Sequence, residues 1–253
     1  MLRSRDNPRV RHWSKLAQDP RYRRSQKRAL IEGPHLVSAF LDRGLMPLSI
    51  LATEAGLANP EIAALAGKLS PVVLSESVFR SVVDAENPPG VAAEIQIPVR
   101  KEEGGNRVFL EGVQDPGNVG TIIRSAAAFG VRAVILDRDC ADPWSPKALR
   151  AGMGGHFVLQ ISQVKGLGDE LERFEGRVVC TLPRQGVELD KADLTGTLGW
   201  LFGSEGKGVS PKLQEKADLR ITIPTVPATE SLNVAAAAAI CLYEAFSRPG
   251  GRS

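Results

Sequence analysis

From Val108 onward the chain alternates short apolar runs with amphipathic stretches, and this alternation restricts the fold more than any other feature. Val108–Leu110, Ala133–Leu136, Phe157–Ile161, Val178–Thr181, Leu198–Phe202 and Leu219–Ile223 read as strands. Asn118–Phe129, Pro146–Met153, Leu167–Phe174, Pro211–Lys216 and Asn233–Phe246 read as helices. Regular strand–helix repetition predicts a parallel sheet with helices on both faces. Residues 1–98 also mix helices and strands, with helices at Pro8–Ala17, Pro34–Arg43, Pro60–Lys68 and Ser75–Val83 and strands at Arg28–Glu32, Leu48–Ala52, Val72–Leu74 and Val91–Ile97. Between the two lies a charged stretch, residues 99–106 (VRKEEGGN), with a glycine pair and little apolar content. We therefore expect an α/β chain with a smaller N-terminal domain at 1–98, a linker at 99–106 and a larger domain at 107–253. The tail Ser247–Ser253 is expected to fray.

Of 253 residues, 43% are hydrophobic, enough to build a sizeable core. Cys140, Cys180 and Cys241 are odd in number and widely spaced, which argues against a disulfide framework and for a reducing compartment. His12, His35 and His156 do not join them at metal-ligand spacing, so no structural metal is expected. The basic N-terminus has no apolar core of a secretory signal, and Val234–Tyr243 is too short to span a bilayer. A cytoplasmic, soluble protein with no membrane partner is the expectation.

The net charge of +3 conceals an asymmetry: residues 1–30 carry ten Lys/Arg, against Asp6 and Asp19 alone. The segment is +8 and the remaining 223 residues sum to −5. A basic block on a near-neutral chain fits a polyphosphate partner, with Arg9, Arg11, Arg21, Arg23 and Arg24 as RNA contacts. Trp13 and Tyr22 lie among these charges, either as stacking platforms for bases or, for Trp13, as a core residue.

Ligands of parallel sheets sit beyond the carboxyl ends of strands, and three segments there turn polar and glycine-rich. In LEGVQDPGNVGTIIR (Leu110–Arg124), Gly117 and Gly120 permit close backbone approach and Asn118 is placed to cap the helix. Arg124, in the second turn, has nothing in the helix dipole to favour a cation and so calls for an anion. LFGSEGKG (Leu201–Gly208) holds three glycines in six residues but neither nucleotide-loop spacing. Glu205 in that loop would repel phosphate, and suits a cation or the orienting of an Arg. In ITIPTVPATESLNVAAAAAICLYEAF (Ile221–Phe246), prolines end a strand, and Thr229, Glu230, Ser231 and Asn233 crowd the entrance of an alanine-rich helix. Ser231 and Thr229 are equal candidates for its cap.

Together these segments resemble the three motifs of the SpoU (TrmH-type) RNA ribose 2′-O-methyltransferases of the SPOUT class. The matching residues are Asn118, Gly120, Arg124 and Ser125; Gly203, Glu205 and Gly206; and Pro224, Ser231, Leu232 and Asn233. The resemblance covers about residues 107–247, and NPRV near Asn7 with LIEGPHLV at Leu30–Val37 resembles the L30e-like RNA-binding domain of many members. Ala235 departs from the serine that many members carry there. The resemblance implies a deep trefoil knot in the C-terminal domain, a homodimer, and S-adenosylmethionine held by Thr181, Leu182, Gly203, Ile223 and Leu232. It implies Arg124 as the principal catalytic residue, with Asn118, Glu205, Ser231 and Asn233 orienting it and the ribose, and rRNA as the substrate ahead of tRNA. Two further readings remain: a catalytically silent RNA-binding protein of the same fold, which the presence of these five residues opposes, and a nucleotide-dependent oxidoreductase, which lacks the dinucleotide fingerprint.

Overall fold

The computed structural model describes residues 1–67, 69–100, 104–226, 231–248 and 251. Thr229 and Glu230 of the polar cluster, Lys68, residues 101–103 of the expected linker and most of the tail lie outside the described residues. The chain divides into two compact units, one of residues 1–99 and 142–157, the other of residues 100–141 and 158–253.

The first unit opens with helices α1 (Pro8–Gln18) and α2 (Pro20–Gln26). Strand β1 (Arg28–Glu32), helix α3 (Pro34–Leu41), strand β2 (Ser49–Ala52), helices α4 (Glu54–Leu57) and α5 (Pro60–Gly67), strand β3 (Val72–Val73), helix α6 (Glu76–Val82) and strand β4 (Val91–Gln96) follow. The sheet order is β1-β4-β2-β3. β4 runs antiparallel to β1 and β2, and β2 runs parallel to β3. The sequence pattern leaves α2 unassigned; it is started by Asp19, whose carboxylate accepts the N–H groups of Arg21 and Tyr22.

Two expectations for the basic block change here. Arg23 is only 3% exposed. Its guanidinium donates to the carbonyls of Leu16 and Ala17 and pairs with Asp142 at 2.8 Å, so it is a structural residue unavailable to RNA. Trp13 is buried and donates to Glu94 at 2.9 Å, which settles it as core rather than stacking platform. Tyr22 is half-buried, with its hydroxyl 2.8 Å from His12 Nδ1. Arg9, Arg11, Arg21 and Arg24 remain exposed. Arg9 lies over the Trp13 ring, and Arg11 pairs with Asp6.

The second unit supplies β5 (Arg107–Glu111), α7 (Pro116–Ala128) and β6 (Ala133–Leu136) before the chain passes into the first unit for α8 (Pro146–Gly152). Sequence alternation assigns this helix to the C-terminal domain, but its side chains belong elsewhere. Arg150 pairs with Glu32 at 3.0 Å and Asp84 at 2.6 Å, and Phe157 meets Phe40 edge to face at 5.1 Å. With Phe157 held in a 3₁₀ turn of the first unit, the strand expected at Phe157–Ile161 begins only at β7 (Gln160–Gln163). Then come α9 (Gly168–Glu172), β8 (Arg177–Thr181), β9 (Val187–Glu188), β10 (Leu198–Gly203), α10 (Pro211–Gln214), β11 (Leu219–Thr222) and α11 (Val234–Ser247).

The seven-stranded sheet has the order β7-β6-β5-β10-β8-β11-β9, with every pair parallel. Both faces are covered, as the alternation predicts. Val108, Leu110, Trp200 and Phe202 pack with Ile122, Ile123, Ala238 and Leu242 of α7 and α11. Phe109, Cys180 and Leu201 point the other way, to Leu171 and Leu213. The direction of travel reverses between β5 and β10, because β6 and β7 extend one side of β5 while β8 starts the other. A parallel sheet opens its ligand crevice at such a reversal.

His156 tests the burial of the 142–157 segment. It is 1% exposed, its Nε2 faces the Pro143 carbonyl at 2.7 Å, and its Nδ1 has no partner among the described residues. The contact requires Nε2–H as donor, and burial favours the neutral ring. Burial depresses its pKa to about 4 from the ordinary 6.5. The unfolded chain therefore takes up this proton first, and the associated stability, complete above pH 6.5, is lost as the pH falls toward 4. The loss approaches about 3 kcal/mol. Urea titrations of wild type and His156→Gln across roughly pH 7 to 4 should diverge by that pH-dependent amount, since Gln keeps the donor without a titration.

Candidate active site

The three glycine-rich segments converge at the carboxyl ends of β5, β10 and β11. Helix α7 is capped by Asp115, which accepts the Gly117 N–H at 2.5 Å, with Pro116 at the first helical position. The cap is thus three residues earlier than expected, and Asn118 lies inside the first turn with its side chain available for other contacts. In the turn after β10, Gly208 N–H bonds to the Ser204 carbonyl at 2.8 Å. Gly203 is obligatory for this turn: a Cβ there would lie 2.1 Å from the Gly208 carbonyl carbon. The turn thereby presents Glu205.

Helix α11 is capped not by Ser231 but by Asn233, whose Oδ1 accepts the N–H groups of Ala235 (2.9 Å) and Ala236 (3.2 Å). With Oδ1 so engaged, the Asn233 amide points outward. Nδ2 donates to Glu205 Oε1 at 2.6 Å and Asn118 Oδ1 at 3.1 Å. Asn118 Nδ2 completes the triangle by donating to Glu205 Oε1 at 2.7 Å. Three residues, 87 and 28 positions apart along the chain, form one polar triad.

Thr181, Leu182, Gly203, Ile223 and Leu232, the residues expected at the cofactor, all line one cavity of about 260 Å³, together with Ser231 and Glu205. The Leu182 N–H is held by the Ile221 carbonyl, and the Thr181 hydroxyl donates to the Leu201 carbonyl. Leu182, Pro183, Ile223 and Leu232 give the cavity apolar walls, and Gly203 and Gly206 open its backbone side. That composition fits a flat aromatic base with a polar tail. Arg124 stands apart. The helix begins at Pro116, so Arg124 is in its third turn rather than its second. Six residues beyond Asn118, it projects about 120° away around the axis. It is exposed and makes no hydrogen bond or ion pair among the described residues.

A second cavity, of about 600 Å³, adjoins the same turn and includes Glu111, Gln114, Asn118, Asp137 and Asp139. Sequence reasoning missed Glu111, Asp137 and Asp139, although each follows directly from the end of β5 or β6. The rule that ligands gather past strand ends would have marked them.

Residues 105–243 match the SpoU rRNA Methylase family model, more than half of the chain. The chain belongs to the SpoU family. Residues 7–93 match the family model of an MRM3-like substrate binding domain. One SpoU relative, the 23S rRNA (guanosine(2553)-2′-O)-methyltransferase RlmP of Bacillus subtilis, is 34% identical over 96% of this chain and 97% of its own. Another, the 23S rRNA (guanosine-2′-O-)-methyltransferase RlmB of Pseudomonas putida, is 33% identical over 67% of this chain and 71% of its own. Among solved structures, the SpoU methyltransferase AviRb of Streptomyces viridochromogenes, in complex with AdoMet, superimposes with a TM-score of 0.85 at 26% identity, covering 94% of this chain and 97% of that one.

The dual role of Asn233 makes a testable distinction. Asn233→Ala removes the cap and should lower unfolding stability by about 1 kcal/mol. Ser231→Ala, which touches no helix N–H, should stay within about 0.5 kcal/mol of wild type in the same urea titration.

Proposed function

We propose that the protein transfers a methyl group from S-adenosylmethionine to a guanosine ribose 2′-hydroxyl of 23S rRNA. The observation that carries this reading is the Asn118–Glu205–Asn233 triad, built from all three SpoU segments, with Glu205 also lining the cavity of Thr181, Leu182, Gly203, Ile223 and Leu232. The RNA and the nucleoside follow from the names of the full-length relatives.

When bound, S-adenosylmethionine supplies a methyl carbon whose bond to sulfur breaks as a bond to the 2′-oxygen forms, leaving a neutral thioether. This chain's residues align and activate the acceptor. Holding the 2′-oxygen in line supplies several kcal/mol of the acceleration. Glu205, fixed by two amides, anchors the turn between the two bound molecules. Arg124 binds the target phosphate and favours loss of the 2′-proton to solvent, since a guanidinium is itself a poor base. Ser231, exposed in the same cavity, contacts the ribose.

The reading includes a homodimer. Ile240 (41% exposed) and Tyr243 (57% exposed) form an apolar strip on α11, beside Phe129 at the end of α7. A second copy covering α7 and α11 would bring its Arg124 toward a site that the first copy's Arg124 faces away from. The reading also includes a deep knot within residues 177–247, supported by β10 entering between β5 and β8 after both are laid down. Three buried free cysteines support action in the reducing cytoplasm. No helix among the described residues is long and apolar enough to cross a membrane.

The deciding assay is transfer of labelled methyl to total RNA from a strain lacking this gene, followed by mapping of alkali-resistant linkages. One resistant guanosine in 23S rRNA is expected; a tRNA site would overturn the substrate, and no transfer to RNA or to ribosomal precursor particles would overturn the activity. Arg124→Ala should lower transfer at least about 100-fold while cofactor affinity is kept, because Arg124 does not line the cofactor cavity. Replacing Arg9, Arg21 and Arg24 together by Ala should weaken RNA binding and flatten its salt dependence by roughly one log–log unit for each phosphate no longer neutralised, with Arg23 left in place to preserve the fold.

A further inference from the structure

The two cavities at the end of the sheet share one wall. Ser204, Glu205, Gly206, Lys207 and Gly208 line both, so molecules in the two cavities would meet at a single turn. Direct group transfer demands such adjacency. If the first cavity takes the methyl donor, the second is placed for the acceptor nucleoside, and this step rests on the methyltransferase reading above.

The lining of the second cavity then selects among acceptors. Asp137 is already occupied: its oxygens accept the backbone N–H groups of Gly112, Asp139 and Cys140 at 3.0–3.1 Å. Glu111 is different. Its Oε2 accepts the Ser210 N–H at 2.7 Å, which fixes the carboxylate, while Oε1 has no partner among the described residues. Carboxylates in this wall disfavour a phosphate and favour a neutral ligand edge rich in donors. Guanine alone among the RNA bases presents two adjacent donors on its pairing edge, N1–H and N2–H₂, and a carboxylate accepts both at once. Adenine and cytosine would set a ring-nitrogen lone pair against Glu111. Uracil offers a single N–H between two carbonyls. Lys207, in the shared turn, makes no side-chain hydrogen bond among the described residues and supplies a donor of the kind that guanine O6 accepts.

We propose that the cavity at the ends of β5 and β6 receives the target guanine, and that Glu111 is a specificity-determining residue that accepts its N1–H and N2–H₂. The test uses the full chain and two RNA fragments that differ only at the target, guanosine in one and inosine, which lacks the 2-amino group, in the other. Wild type should transfer to inosine with a kcat/KM about 10-fold lower. Glu111→Gln keeps the Ser210 contact through its carbonyl but turns a donor toward the guanine donors. It should lose roughly 10-fold to 100-fold on guanosine and bring the guanosine-to-inosine ratio near one. Its melting temperature and S-adenosylmethionine affinity should match wild type, since Glu111 is absent from the first cavity. Equal wild-type rates on the two fragments, or an unchanged ratio in Glu111→Gln, would overturn the pocket while leaving the methyltransferase reading intact. Wild type that binds cofactor but transfers to neither fragment would overturn both.

Discussion

One amide holds the site together. Asn233 uses its carbonyl to cap α11 and its NH₂ to bind Glu205 and Asn118, so the start of the last helix, the turn after β10 and the start of α7 are fixed as one unit. An aspartate would serve equally as a cap but would set a second carboxylate against Glu205. The identity of this residue thus follows from the triad rather than from the helix. The triad in turn depends on Gly203, because the turn that presents Glu205 folds back onto the strand too closely for any Cβ.

The sheet order decides where these pieces meet. β10 is inserted between β5 and β8, placing the turn after it beside the loop after β5 on one side and the end of β8 on the other. The result is two cavities that share five lining residues. The chemistry proposed for the site needs that proximity.

The first unit is organised differently, around buried charge. Glu94 gathers Trp13, His12 and Arg28. Glu32, whose pKa burial pushes up against the opposing effects of backbone N–H groups and Arg150, receives α8. The Arg residues of the first thirty positions therefore fall into two kinds: some stay exposed on the surface, while Arg23 is an internal fastening for a stretch contributed more than a hundred residues later.

Much was legible from the sequence alone, for a physical reason: hydrophobic periodicity and turn chemistry are local properties. The parallel sheet, its helical covering and the three polar segments could all be read there, while Thr181, Leu182, Gly203, Ile223 and Leu232 of the first cavity came only from the family resemblance. Only tertiary structure decided which local features would be used. Composition cannot distinguish an exposed Arg from one paired with Asp142, nor say which core Phe157 will join, because those choices depend on partners distant in sequence. The same holds for caps: Asp115, Asn118, Ser231 and Asn233 are all competent, and the folded chain uses Asp115 and Asn233 while Asn118 turns to Glu205. Arg124 shows the division most plainly, since the motif names the residue while the helix phase turns it away from the triad that the motif shares.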